Sequence, residues 1–195
     1  MTLKTVLLDT PEGVEARLGW DPATTVHDRR RIIAKELIAQ RLRCEPKDIT
    51  IEREAPRGFG YHTSLIASRG GQDLPISIVT ASFRAATVVA ICAPQIALGI
   101  DIRDVTPNEA DLRQMRRHSH LLLESSDRDV LQHWVCVQAV LEADGRGVRV
   151  APENVRLDAS RHRGWTLDRK MRYALTDASR DGWIVTIAKG IDDGH

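Results

Sequence analysis

Aromatic residues are scarce in this sequence. Phe, Trp and Tyr make up 4% of its 195 residues, too few to supply the stacking platforms on which single-stranded nucleic acids are read. An excess of one charge is missing as well: 28 Lys and Arg stand against 27 Asp and Glu, a net charge of +1. That balance excludes a globally basic nucleic-acid binder and an acidic, solvating chain. No apolar run approaches the roughly 18 residues of a membrane span, and residues 1–9 stop short of a signal-peptide core. Cysteine is limited to Cys44, Cys92 and Cys136, with no C-x-x-C pair. The expectation is a cytoplasmic protein with reduced thiols, no zinc site and no disulfide frame. What is present is an ordinary globular balance, 42% hydrophobic and 28% charged, long enough for one large domain or two lobes of roughly 100 residues.

Along the chain, residues 3–8 read as a strand. A first helix spans 28–44, with Asp28 as its N-cap and Ile33, Leu37, Ile38 and Leu42 at helical spacing. Glu45-Pro46-Lys47-Asp48 turns the chain into a strand at 49–53, and 55–73, rich in Gly, Ser and Arg, reads mainly as loop. Strands follow at 75–80, 87–92 and 96–103. Pro107 opens a helix reaching about 123. Asp127 caps another over 128–143, which Gly145-Arg146-Gly147 ends. Strands then fit 154–157, 172–177 and 183–188.

The halves echo each other. Pro46-Lys47-Asp48-Ile49-Thr50-Ile51 follows the first long helix, and Pro152-Glu153-Asn154-Val155-Arg156-Leu157 follows the later one. The strand pair at 76–80 and 88–92 recurs 96 residues on, at 172–176 and 184–188. Against chance, since Pro before a strand is ordinary turn chemistry, stands the matching order of helix, turn and three strands. The expected fold is α+β, a pseudo-twofold duplication of a helix-plus-antiparallel-sheet lobe, with lobes at 1–95 and 96–195.

Three stretches then resemble the phosphopantetheinyl transferases of the two-lobed Sfp type. Leu98-Gly99-Ile100-Asp101-Ile102-Arg103 looks like that family's G-[IV]-D-[IVL]-E strand. Trp134-Val135-Cys136-Val137-Gln138-Ala139-Val140-Leu141-Glu142 stands where the family has W-x-x-K-E-A-x-x-K, and Gly145-Arg146-Gly147-Val148-Arg149-Val150-Ala151-Pro152 is similar to the G-[KR]-G-L-x-x-P that follows. The resemblance implies a monomer with its site between two lobes, near Asp101, Phe83 and Gln138. It implies transfer of the phosphopantetheine arm of coenzyme A onto a serine of an acyl or peptidyl carrier protein. Such phosphoryl transfer needs mainly positioning and charge neutralisation, for which the family uses Mg²⁺, a hard cation that wants oxygen ligands. A D-x-E strand puts both carboxylates on one face, and the helix Glu completes the set.

Here only Asp101 of that set is kept. Arg103 replaces the strand carboxylate, Val137-Gln138 replaces the helix Lys-Glu pair, and Phe83 stands where the family has a nucleotide-contacting histidine. Gly58-Phe59-Gly60 lacks the lysine of the family's G-K-P segment. Asp101 as metal ligand, Arg103 and neutral Gln138 sum to about zero charge, and a nearby Arg repels a cation by roughly 4 kcal/mol per unit charge at intermediate dielectric. The expectation is a degenerate site, probed at Asp101, Gln138, Arg103 and His133 as catalytic candidates.

Two roles remain open beside an active transferase with an unusual metal site. One is repurposed chemistry on a carrier-bound chain, with Asp101 as acid or base, raised in pKa by apolar neighbours, Arg103 or Gln138 polarising a carbonyl, and His133 or His62 carrying protons. The bland counterparts are a plain Asp101–Arg103 ion pair, packing histidines and a core Cys136. The other is a binding module that docks an acidic carrier protein on Arg113, Arg116, Arg117 and His120, spaced as one helical stripe. Arg29, Arg30 and Arg31 suit the phosphates of coenzyme A, and Trp134 suits packing.

Overall fold

Three helices are present among the residues that the computed structural model describes, 3–53, 65–119 and 122–191, and all three start alike. Helix α1 (Val26–Leu42) is capped by Thr25, α2 (Glu109–Arg117) by Asn108 and α3 (Asp127–Asp144) by Ser126. Each cap accepts a hydrogen bond from the backbone N–H of an aspartate three residues on, and each donates one to that aspartate's carboxylate. The first bond satisfies one backbone N–H that a bare helix start leaves open, and the second holds the cap side chain over it. Asp28 and Asp127 are therefore not the caps. Asp28 is the third helical residue of α1 and Asp127 the first of α3. Helix α2 ends at Arg117 rather than near 123.

The chain divides into two compact units, Met1–Ile96 and Ala97–His195. Both mix helix with antiparallel sheet, an α+β architecture. The first unit holds a four-stranded sheet in the order β1-β2-β7-β6, from β1 (Lys4–Leu7), β2 (Val14–Trp20), β6 (Ser77–Phe83) and β7 (Ala86–Cys92). A smaller sheet joins β3 (Ile49–Arg53), β4 (Leu65–Arg69) and β5 (Gln72–Asp73). The reading of 55–73 as loop is thus corrected over 65–69 and 72–73, while 55–64, including Gly58-Phe59-Gly60 and His62, lie outside the described residues. The buried stripe of α1, Ile33, Ala34, Leu37 and Ile38, packs with Ile49, Ile51, Ala67, Ile78, Val89 and Ile91 in one core. Strand β7 is buried along its whole length, as a central strand with apolar residues on both faces must be.

The second unit holds a five-stranded antiparallel sheet, β8-β12-β11-β10-β9, from β8 (Leu98–Asp104), β9 (Val155–Leu157), β10 (Arg163–Thr166), β11 (Arg172–Asp177) and β12 (Trp183–Ile191). Helix α3 covers one face, with Cys136, Val137, Ala139, Val140 and Leu141 against Tyr173, Leu175 and Ala188. It ends in Gly145 at φ 75°, a left-handed position that glycine takes without a Cβ penalty. In its last turn Asp144, with no exposed side-chain surface, pairs with Arg146 and Arg169, and Arg146 also bonds Thr166 of β10, which fixes the Gly145-Arg146-Gly147 turn against that strand. Among the described residues no helix is long and apolar enough to cross a membrane.

Candidate functional site

The site is built where α3 crosses β8. A Cβ at Gly99 would fall 2.1 Å from the Ala139 carbonyl oxygen and 2.3 Å from the Ala143 nitrogen, so the missing side chain is what lets helix and strand touch. Side chains on a strand alternate; Asp101 and Arg103 therefore share the face of Gly99, the face under α3. Thr186 sits opposite Asp101 in the β8–β12 register, and its hydroxyl lies 3.6 Å from the Cys136 thiol of α3. Gln138 belongs to the same helix and is half-buried.

Arg103 Nη1 donates to Asp101 Oδ1 at 3.4 Å and to the Ile102 carbonyl at 2.9 Å. The Asp101 side chain is 15% exposed, and its Oδ2 is buried without a hydrogen-bond partner among the described residues. Burial pushes the Asp101 carboxyl up to about 7; the Arg103 charge and the Ile102 backbone amide oppose this, and Glu142 adds to it. Glu142, one helical turn beyond Gln138, is a contributor that sequence reasoning missed, although its spacing on α3 was there to find it. Asp101 thus exchanges its proton near neutral pH, as a general acid or base needs.

The stability consequence has a definite sign. A carboxyl whose folded value is raised contributes stability that is complete below its unfolded value, near 4, and is lost as pH rises through about 7. Asp101→Asn never ionises. It is expected to match the parent protein at pH 4 and exceed it by about 4 kcal/mol at pH 8, read from urea unfolding at both values. A stability difference that does not change with pH would rule out the raised carboxyl.

The resemblance implies a Mg²⁺ site, and the donor set does not fit one. It offers a carboxyl that is half protonated near neutral pH, a guanidinium against it and an amide. Among the described residues no group of three His, Cys, Asp or Glu side chains is placed to hold a metal ion. No step through a bound metal follows from these residues.

The other candidates lie elsewhere. His133, on α3, lines a separate cleft of about 510 Å³ with Arg117, His118, Trp134 and Val155, and neither Asp101 nor Gln138 reaches it. Burial, helped by the Arg161 charge, lowers the His133 pKa. Cys136 lines a second cleft of about 400 Å³ with Arg161, Leu175, Asp177 and Thr186; burial pushes its thiol pKa up, the opposite of an activated nucleophile.

On α2, Arg113 and Arg117 are exposed, but Arg116 is turned from that stripe into the fold. Its guanidinium bonds the Leu122, Leu123 and Ser125 carbonyls and the Asp127 carboxylate, tying the α2–α3 connection. His120 lies outside the described residues. In the first unit, Phe83 ends β6 with the Arg84 guanidinium 5.2 Å from its ring centre. Arg30 and Arg31 are half-buried on α1, and Arg29 is wholly committed to internal bonds. Compared with protein-family models and with curated proteins, the chain matches none.

Proposed function

We propose that the chain is a phosphopantetheinyl-transferase-like protein, its two units a duplicated lobe, that has lost Mg²⁺-dependent transfer. In this reading it binds or modifies a carrier-protein-linked intermediate of a polyketide, peptide or fatty-acid pathway. One observation carries it. On the strand face under α3, where the resemblance calls for a second carboxylate, Arg103 donates to Asp101 at 3.4 Å.

That exchange replaces cation binding by an acid beside a fixed positive charge. Asp101, titrating near neutrality, gives or takes a proton, and the guanidinium of Arg103 stabilises an anionic oxygen that forms next to it. Gln138 can orient a carbonyl by hydrogen bonding but cannot act as a base. These are the parts of an acid–base site on a carbonyl-containing chain, whereas Mg²⁺-dependent transfer would need carboxylates here to hold the cation.

The test is intact mass of an apo carrier protein after incubation with this protein, coenzyme A and Mg²⁺. No mass gain is expected, together with a rise in the protein's unfolding temperature on adding holo carrier protein. Gain of one phosphopantetheine arm, abolished in Asp101→Ala, would show an active transferase with an unusual site and overturn the proposal. An unfolding temperature unmoved by both coenzyme A and holo carrier protein would overturn the carrier assignment.

A further inference from the structure

We propose that the cleft bounded by the end of α2, by α3 and by β9 binds a small organic acid, an aryl or medium-chain carboxylate with its apolar body on the floor and its carboxylate at Arg117. The cleft's volume, about 510 Å³, falls within the range of small-molecule sites. Trp134, Val137, Val155 and Leu157 line it with apolar surface, enough to desolvate one ring or a short alkyl chain. All of it lies within the second unit, and Asp101, Arg103 and Gln138 take no part, so the inference does not rest on the transferase resemblance.

The charges at the rim decide the ligand class. Glu153, the acid of the lining, is already engaged: its Oε1 lies 2.8 Å from His118 Nδ1. The His118 ring in turn stacks on Trp134 with centres 4.7 Å apart. Arg156 points its guanidinium at the Glu153 and Val155 carbonyls. Arg117 is exposed and has no hydrogen-bond or ion-pair partner among the described residues. The cleft therefore presents one uncommitted guanidinium, whose planar fork matches a carboxylate. His133 also lines it, and neither ring nitrogen has a protein partner among the described residues. Burial favours its neutral form, so it offers one donor and one acceptor without adding a second charge. Arg117 and Arg156 against Glu153 leave one net positive charge in the lining, and with a neutral imidazole and an apolar floor this selects a monoanion with an apolar body over a neutral lipid or a polyanion.

The experiment is calorimetric titration at pH 7 with octanoate and phenylacetate, against octan-1-ol and phenylacetamide as neutral counterparts, followed in parallel by tryptophan fluorescence. At least one acid is expected to bind, with its neutral counterpart at least about tenfold weaker, and Arg117→Gln is expected to cost the acid about tenfold. Arg117 is exposed, so that variant should unfold at the parent's temperature. The fluorescence change should vanish in Trp134→Phe. Equal binding of acid and neutral counterpart, no binding of either acid, unchanged affinity in Arg117→Gln, or a fluorescence change that survives Trp134→Phe would each overturn the assignment.

Discussion

Gly99→Ala is expected to destabilise the second unit by at least about 3 kcal/mol, above the usual 1–3 kcal/mol of an overpacked core. The reason is what the new methyl group meets. Its two nearest neighbours, the Ala139 oxygen at 2.1 Å and the Ala143 nitrogen at 2.3 Å, are backbone atoms of α3 and cannot rotate aside. The helix must lift as a body, and with it Val137, Ala139, Val140 and Leu141 leave Tyr173, Leu175 and Ala188. Two other glycines calibrate the effect. A Cβ at Gly19 would meet the Ile33 Cδ1 at 2.7 Å, the far end of a side chain that can change rotamer, and one at Gly190 would meet the Ala97 Cβ at 3.1 Å. Urea unfolding should rank Gly99→Ala well below Gly19→Ala and Gly190→Ala. Because Asp101 stands two residues along the same strand face, lifting α3 should also rehydrate its carboxyl and return it toward the ordinary carboxylate range. Gly99→Ala as stable as Gly190→Ala would mean that α3 does not depend on this contact.

The same strand shows how far sequence reasoning reaches. That Asp101 and Arg103 share a face follows from the period of two alone, and the Gly99-Ile100-Asp101 order marks the crossing once the glycine is read as space for a helix. The helix starts were legible too, since Thr25-x-x-Asp28, Asn108-x-x-Asp111 and Ser126-x-x-Asp129 all carry the cap three residues ahead of its partner; choosing the aspartates as caps shifted two boundaries. Strand β2 alternates buried Val14, Ala16 and Leu18 with half-buried Glu15 and Arg17. Its Glu, Ala, Arg and Leu are helix formers, and pairing with β1 and β7 overrides that preference. Strand β10 is four residues with a glycine inside, and only its two neighbours in the sheet define it. Least legible were the long cations. The carbonyls that Arg116 gathers lie six to nine residues away along the chain, and nothing in a run of arginines tells which one turns inward.

Arg29 is the sharpest case, and Arg29→Met is expected to destabilise the first unit by about 4 kcal/mol. The residue is 2% exposed, and among the described residues no carboxylate pairs with it. Its charge is held by dipoles instead. Nη1 donates to the Asp21 carbonyl at 3.0 Å and to the Thr24 carbonyl, Nη2 to the Arg84 carbonyl at 3.1 Å, and Nε to the Thr87 hydroxyl at 3.1 Å. One side chain thereby fastens the segment before α1, the first turn of α1 and the turn between β6 and β7. Methionine fills much of the volume but leaves three carbonyls and a hydroxyl facing an apolar group, and unmade buried hydrogen bonds cost more than made ones contribute. Lysine, a point charge with three donors and no planar fork, should recover part of the loss. Arg31→Met, on a half-buried neighbour of the same helix, should stay within about 0.5 kcal/mol of the parent. If Arg29→Met and Arg31→Met unfold at the same urea concentration, the buried network does not hold the unit together. If they separate as expected, the Arg29-Arg30-Arg31 run divides by role: Arg29 is structural, and any phosphate contact of the proposed coenzyme A ligand falls to Arg30 and Arg31.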